Sequence, residues 1–208
     1  MIKKVIFDLD NTLMPFPKHF EIGFKEVLNK HNVDIEPILL YKAVGTYETS
    51  GKYTYYNKEE LVKVINNVLG LNLGIEFIED FFNMYDKLIT EIPKEVIETL
   101  QYLKSKYKLY VVSNWFTNSQ KSRLKEAGIL KYFDGIYGTD IIPMKPKKEC
   151  FMSVIGDLDP SECVMIGDNL EVDIKVPYEM GMQVYHLNKF GTSKYPTIRK
   201  IEELKERL

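Results

Sequence analysis

The chain has 208 residues, 45% hydrophobic and 28% charged, enough for one domain with a substantial insertion or for two small ones. Lys and Arg number 28 against 30 for Asp and Glu, so a formal charge of −2 recommends neither a nucleic-acid nor a membrane-surface partner. The two cysteines, Cys150 and Cys163, lack CxxC spacing and a nearby histidine pair, which argues against a zinc site or a disulfide framework and predicts buried free thiols.

The start, Met1-Ile2-Lys3-Lys4, has no apolar stretch long enough for a signal peptide or a membrane span, and a cytoplasmic protein is the expectation. Val5-Ile6-Phe7 is a short β-rich run that predicts a buried strand, with Asp8 and Asp10 just past its end. In an open α/β sheet that end borders the ligand crevice. Acids at i and i+2 can face the same way while Leu9 turns to the core. Such close carboxylates repel by about 4 kcal/mol at an effective dielectric near 20, and a bound cation would offset this. Magnesium suits oxygen-only ligands. An EF-hand loop begins similarly, but its sixth position is Leu13 rather than glycine and its twelfth is His19 rather than glutamate.

From about residue 16 to 90 apolar residues recur at helical spacing, as in Phe20, Phe24, Val27 and Leu28, then Leu61, Val64, Ile65 and Val68. Asn57 before Lys58-Glu59-Glu60 predicts a helix start and Gly70 its end. Ile78, Phe81, Phe82, Tyr85 and Leu88-Ile89 mark a further amphipathic helix. About four helices and no strand are expected here. Pro93 then opens a helix through Val96, Ile97, Leu100 and Leu103.

Lys108–Val112 is the second expected strand, ending at Ser113-Asn114, followed by a helix that carries Leu124 and Ala127 and stops at Gly128. Gly135–Gly138 predicts a third strand, Cys163–Ile166 a fourth that ends in Gly167-Asp168-Asn169, and Val184–Leu187 a fifth. A helix through Phe151, Val154 and Ile155 precedes the fourth strand. Strands alternating with helices imply parallel βαβ units, hence a doubly wound, Rossmann-like parallel sheet with a helical bundle inserted after the first strand. A dinucleotide-binding dehydrogenase is disfavoured because no GxGxxG follows that strand.

Three strand ends therefore bring polar residues to one sheet edge. Read singly, each has a bland alternative: Asp8, Asp10 and Asp168 as caps of the next element, Ser113 as a turn residue, and Lys145 as a solvated loop lysine. Together the Asp8-x-Asp10-x-Thr12 run, Ser113, Lys145-Pro146 and Gly167-Asp168 with Asp173 resemble, in order, the four motifs of the haloacid dehalogenase-like hydrolases. The resemblance spans nearly the whole chain. One visible departure is Val176-Pro177, where the family commonly has small residues.

The resemblance implies a magnesium-dependent phosphatase acting on a small phosphorylated molecule through an aspartyl-phosphate. By it, Asp8 attacks phosphorus, and Asp10 protonates the leaving oxygen and then deprotonates water. Ser113, Asn114 and Lys145 hold the phosphoryl group, Lys145 also as a catalytic charge. Magnesium would be bound by Asp8, the backbone carbonyl of Asp10, and Asp168. Asp173 stands behind these ligands or orients Lys145. The expected division is 1–15 plus 91–208 as catalytic core and 16–90 as a helical cap. A phosphomutase shares all four motifs; a 2-haloacid dehalogenase needs neither magnesium nor an acid at Asp10; a binding module of the same fold would lack turnover.

Within residues 16–90, Tyr47, Tyr53, Tyr55 and Tyr56 are read as core, and Lys18, Lys42 and Lys52 as solvated surface or contacts for an anionic substrate tail. Trp115-Phe116 is read as packing between cap and core, with base or sugar stacking as the alternative. His19, His31 and His186 form no ligand or triad spacing and receive no role. Substrate and oligomeric state are not legible in the residues.

Overall fold

The computed structural model describes residues 1–17, 20–88 and 90–208. The expectations placed on Lys18, His19 and Ile89 lie outside the described residues. Strands β1 (Lys4–Phe7), β2 (Lys108–Val112), β3 (Gly135–Tyr137), β4 (Cys163–Gly167), β5 (Gln183–Leu187) and β6 (Thr197–Ile198) form one sheet ordered β3-β2-β1-β4-β5-β6. Every adjacent pair is parallel. Strand β6 was not expected, since two residues are too few to show a period. It is defined by pairing His186 with Thr197 and Leu187 with Ile198.

Alternation along the strands builds two cores. Val5, Phe7, Leu109, Val111, Val164 and Ile166 point to one face. Helices α5 (Lys94–Lys104), α6 (Thr117–Glu126) and α9 (Leu204–Arg207) cover it with Leu100, Leu103, Leu124 and Leu204. Ile6, Val112, Met165 and Val184 point to the other, under α7 (Lys148–Ile155) and α8 (Lys175–Glu179). Cys150 and Cys163 are buried there as free thiols. A strand covered on both faces reads as a continuous apolar run, as Val5-Ile6-Phe7 and Cys163-Val164-Met165-Ile166 do.

Helices α1 (Phe20–Lys30), α2 (Pro37–Thr49), α3 (Lys58–Leu69) and α4 (Ile75–Tyr85) occupy the segment between β1 and α5. Their apolar stripes, including Phe24, Leu28, Leu40, Tyr47, Leu61, Ile65, Phe77 and Phe81, close on a third core. Trp115 and Met144, from loops at the sheet edge, are buried in it. Trp115 stacks on Phe82 at 4.6 Å and donates its indole N–H to Ser119 at 2.9 Å. Tyr47 and Tyr56 are buried, and Tyr55 is exposed.

Several hydrogen bonds tie this bundle to the sheet. Where the chain leaves and re-enters, Thr90 Oγ1 donates to the Pro15 carbonyl at 2.7 Å. Farther out, the Tyr56 amide donates to the Thr139 carbonyl at 2.9 Å and the Met144 amide to the Thr54 carbonyl at 2.7 Å. No helix among the described residues is long and apolar enough to cross a membrane.

The boundaries of α3 follow from local chemistry. Asn57 is extended, and its Oδ1 accepts the Glu60 amide at 2.9 Å, satisfying one of the free N–H groups of the first turn. Gly70 ends the helix at φ +67, a conformation that costs a side-chain-bearing residue strain. Asn57→Ala should therefore lower unfolding stability by about 1 kcal/mol, read as a lower urea midpoint at unchanged slope. An unchanged midpoint would show that the cap contributes nothing.

Candidate active site

The chain runs from β1 through β2 to β3 in one direction along the sheet, then returns to β4 beside β1 and proceeds the other way. The crevice at such a reversal is where ligands bind in open α/β sheets. Asp8 follows β1, Ser113 follows β2 and Asp168 follows β4, so all three lie on its rim. The Asp8 amide donates to the Ile166 carbonyl at 2.9 Å, extending the ladder to the acid itself. Asn11 takes φ +62, a conformation Asn tolerates better than most residues, and the chain folds back so that the Leu13 and Met14 amides reach the Leu9 carbonyl.

Lys145, 3% exposed, bridges two carboxylates: its Nζ donates to Asp8 Oδ1 at 2.6 Å and to Asp173 Oδ1 at 2.7 Å. Burial opposes its charge, but Asp173 and Asp8 outweigh that and hold its pKa above the ordinary lysine value. Burial raises Asp8, against the pull of Lys145. Asp168 is pushed up to about 6 by burial and by the charge of Asp8.

Asp173 approaches so closely that a Cβ on Gly167 would lie 2.4 Å from its Cβ. Only glycine fits there. Asp173 Oδ2 also accepts the Asn169 amide at 3.1 Å, and Asn169 in turn caps a π-helical turn over Leu170–Ile174. Val176 and Pro177 follow in the first turn of α8, which continues directly from that π-helical turn.

Asn114, expected to contact the phosphoryl group, lines the cavity beside Lys145. Its carboxamide pairs reciprocally with the backbone of Lys145, accepting the amide at 2.8 Å and donating to the carbonyl at 3.0 Å. It thereby fixes the lysine. Ser113 Oγ accepts from Gln120 Nε2 at 2.8 Å and is buried at the crevice.

The Asp10 carboxylate has a different partner from Asp8. Arg123, 0% exposed, grips it in fork geometry, Nη2 to Oδ1 at 2.8 Å and Nη1 to Oδ2 at 3.1 Å, and Gln120 Nε2 adds 3.1 Å to Oδ2. Arg123 Nε donates to the Leu88 carbonyl at 3.0 Å, and the guanidinium lies 4.9 Å from the Tyr85 ring centroid. Neither Gln120 nor Arg123 was singled out from the sequence. The available signal was α6 itself: Gln120, Arg123, Leu124 and Ala127 form its inward stripe, polar at the positions where a helix on a sheet should be apolar. His186, which received no role from the sequence, has its Nε2 3.0 Å from the Asp168 carbonyl oxygen.

The donor set fits a hard divalent cation. Carboxylate oxygens of Asp8, Asp168 and Asp173 lie within 4.8 Å of one another. Both Asp173 oxygens already accept N–H donors, and both Asp10 oxygens are held by Arg123. The second oxygen of Asp8, Oδ2 of Asp168, whose Oδ1 accepts the Thr12 hydroxyl at 3.3 Å, and backbone carbonyls remain for an oxygen-ligated ion such as magnesium.

Above these groups lies a cavity of about 320 Å³. Its floor is Asp8, Asp10, Ser113, Asn114, Lys145 and Asp168, and α2 and α4 supply much of its walls. Lys42 lines it, whereas Lys52 lies over the Tyr53 ring at 5.2 Å.

Among solved structures, the magnesium-bound HAD-hydrolase YfnB of Bacillus subtilis superimposes with a TM-score of 0.79 at 21% identity, over 99% of this chain and 98% of that one. The L-2-haloacid dehalogenase of Xanthobacter autotrophicus gives 0.73 at 15% identity, over 99% and 98%. In sequence, the glyceraldehyde 3-phosphate phosphatase of Methanocaldococcus jannaschii is 30% identical over 196 residues, covering 88% of this chain and 83% of its own. Residues 2–177 match the model of the haloacid dehalogenase-like hydrolases, and the chain belongs to that family.

Proposed function

We propose that this protein is a magnesium-dependent phosphatase of a small phosphomonoester, working through a phosphorylated Asp8. The observation that carries this reading is the meeting of Asp8, Asp168, Lys145 and Ser113 at one strand edge. A cluster with two unsaturated carboxylates and one buried ammonium suits an anion that arrives with a cation. The relative from Methanocaldococcus jannaschii, named for a sugar-phosphate phosphatase activity, supports the same class.

In this reading Lys145 holds Asp8 through Oδ1 and leaves the other oxygen to attack phosphorus. The new O–P bond forms as the bond to the leaving alcohol breaks. Asp10 gives that alcohol its proton and then takes one from the water that attacks the phosphoryl group, releasing inorganic phosphate and restoring Asp8. Ser113 and Lys145 donate to the phosphoryl oxygens throughout. Magnesium held by Asp8, Asp168 and the Asp10 backbone carbonyl would supply the positive charge that lets a carboxylate meet a phosphate dianion. Residues 16–90 serve as a cap over a core of 1–15 and 91–208, excluding water and selecting the alcohol.

Hydrolysis of a generic aryl phosphate should vanish in excess chelator and return with added magnesium. Undiminished turnover in chelator would sink the metal-dependent reading. Rapid acid quench and intact-mass measurement should find no added phosphate on Asp8→Asn, because an amide cannot form the acyl-phosphate. Asp10→Asn should still be phosphorylated by an aryl ester and then hydrolyse slowly. Label on Asp8→Asn but not on a folded Asp10→Asn would reverse the two roles.

Arg123 is a positioning residue in this scheme, since it acts through Asp10, whose carboxylate it holds. Arg123→Lys keeps the charge but loses the fork, so kcat should fall about tenfold or more with KM little changed. A rise in KM alone would instead place Arg123 in substrate binding.

A further inference from the structure

Helix α2 presents one stripe to the cavity, Tyr41, Val44, Gly45 and Glu48, at spacings of three and four residues. Glu48 is the carboxyl of that stripe. Among the described residues it accepts one hydrogen bond, from the Tyr56 hydroxyl at 3.5 Å, which is at the long limit for such a bond. Its other carboxyl oxygen accepts from none of the described residues, and Glu48 lines the cavity. Burial, with Asp10 and Asp8 adding to it, pushes Glu48 up to about 8. A half-buried carboxyl on a cavity wall with so little bonding is available to a polar group of a ligand.

Gly45 adds a second observation. It lies inside α2, where glycine is less stable than alanine, yet a Cβ there would meet nothing within 4 Å. The space beside Glu48 is open. Around it, Phe16, Tyr41, Tyr85 and Trp115 offer apolar wall for a carbon skeleton, while Asp8, Lys145 and Ser113 lie at the floor.

Resting on the phosphatase reading above, we infer that Glu48 is a specificity-determining residue that bonds a hydroxyl on the leaving alcohol. The preferred substrates are phosphomonoesters whose alcohol carries a further hydroxyl group away from the phosphate. A carboxyl accepts from a hydroxyl whether or not it holds a proton, so the contact does not depend on its titration. A purely hydrocarbon alcohol displaces water from the carboxyl without replacing its hydrogen bond and is disfavoured.

The test uses two phenyl phosphates that differ only in a para substituent, hydroxymethyl or methyl, assayed in saturating magnesium. For the wild-type protein kcat/KM should favour the hydroxymethyl ester by about tenfold or more, where the range for a neutral hydrogen bond meets that for one to a charged group. Glu48→Leu should bring the ratio to within about threefold of one, and Glu48→Gln, which still bonds a hydroxyl, should keep most of it. Glu48→Ala gives the same readout if the leucine variant does not fold. A structural defect lowers both esters together and leaves the ratio unmoved. Equal turnover of the two esters by the wild type, or a wild-type ratio in Glu48→Leu, overturns this inference alone. Turnover of neither ester by the wild type overturns the phosphatase reading and the inference with it.

Discussion

A buried ammonium group, Lys145 Nζ, lies 2.6 Å from Asp8 and 2.7 Å from Asp173, and much of the sheet edge is arranged to keep it there. Asn114, at the end of β2, fixes the lysine backbone from one side. Gly167, at the end of β4, lets Asp173 approach from the other. Three strand ends are thereby tied to one charge. Taking that charge away would leave two carboxylates facing each other out of water, which breaks a buried pair at a cost of several kcal/mol. The same bond orients Asp8 with one oxygen toward the lysine and the other toward the crevice.

Two residues along the chain, Asp10 belongs to a separate network. Its fork-to-fork pair with Arg123 is completed by Gln120, which also reaches Ser113, so the acid and the hydroxyl share one support. Arg123 further bonds the Leu88 carbonyl and lies against Tyr85, at the end of α4 and the chain beyond it. The helical segment and the second aspartate are thus joined through one guanidinium. Equal spacing in the sequence has become an asymmetric pair in space. One acid is bonded to a lysine at the crevice, and its neighbour is clamped from behind by an arginine.

The bundle of α1–α4 also meets this edge through aromatic packing. Trp115 leaves the end of β2 and buries itself among Phe82, Tyr85 and Tyr56, so a residue next to the crevice belongs to the core of the bundle. Thr90 and Pro15 hold the two connecting strands of chain together at 2.7 Å. Between these anchors α2 is left to face the cavity with a stripe that is not simply apolar. The carboxyl of that stripe, Glu48, receives a single long hydrogen bond from the described residues.

Sequence alone determined the order of elements and the chemistry of the strand ends. Val5-Ile6-Phe7, Leu109 and Val111, and Val164 to Ile166 are apolar because each strand is covered on both faces, and that pattern is local. Asn57 and Gly70 announced α3 because capping is decided within a turn. Asp8, Asp168, Lys145 and Ser113 were visible because each ends or follows a recognisable strand in a fixed order. Tertiary structure decided the rest. Strand β6 exists through its pairing with β5. Asn114 could be assigned to Lys145 only once residues 31 apart were in contact. Arg123 reaches across 113 positions to Asp10 from a helix whose polar stripe carries no such label. Glu48 faces the cavity because α2 packs its other side, Leu40, Ala43 and Tyr47, into the bundle. A side chain's partner is set by the docking of elements distant in sequence, and no local pattern encodes that distance.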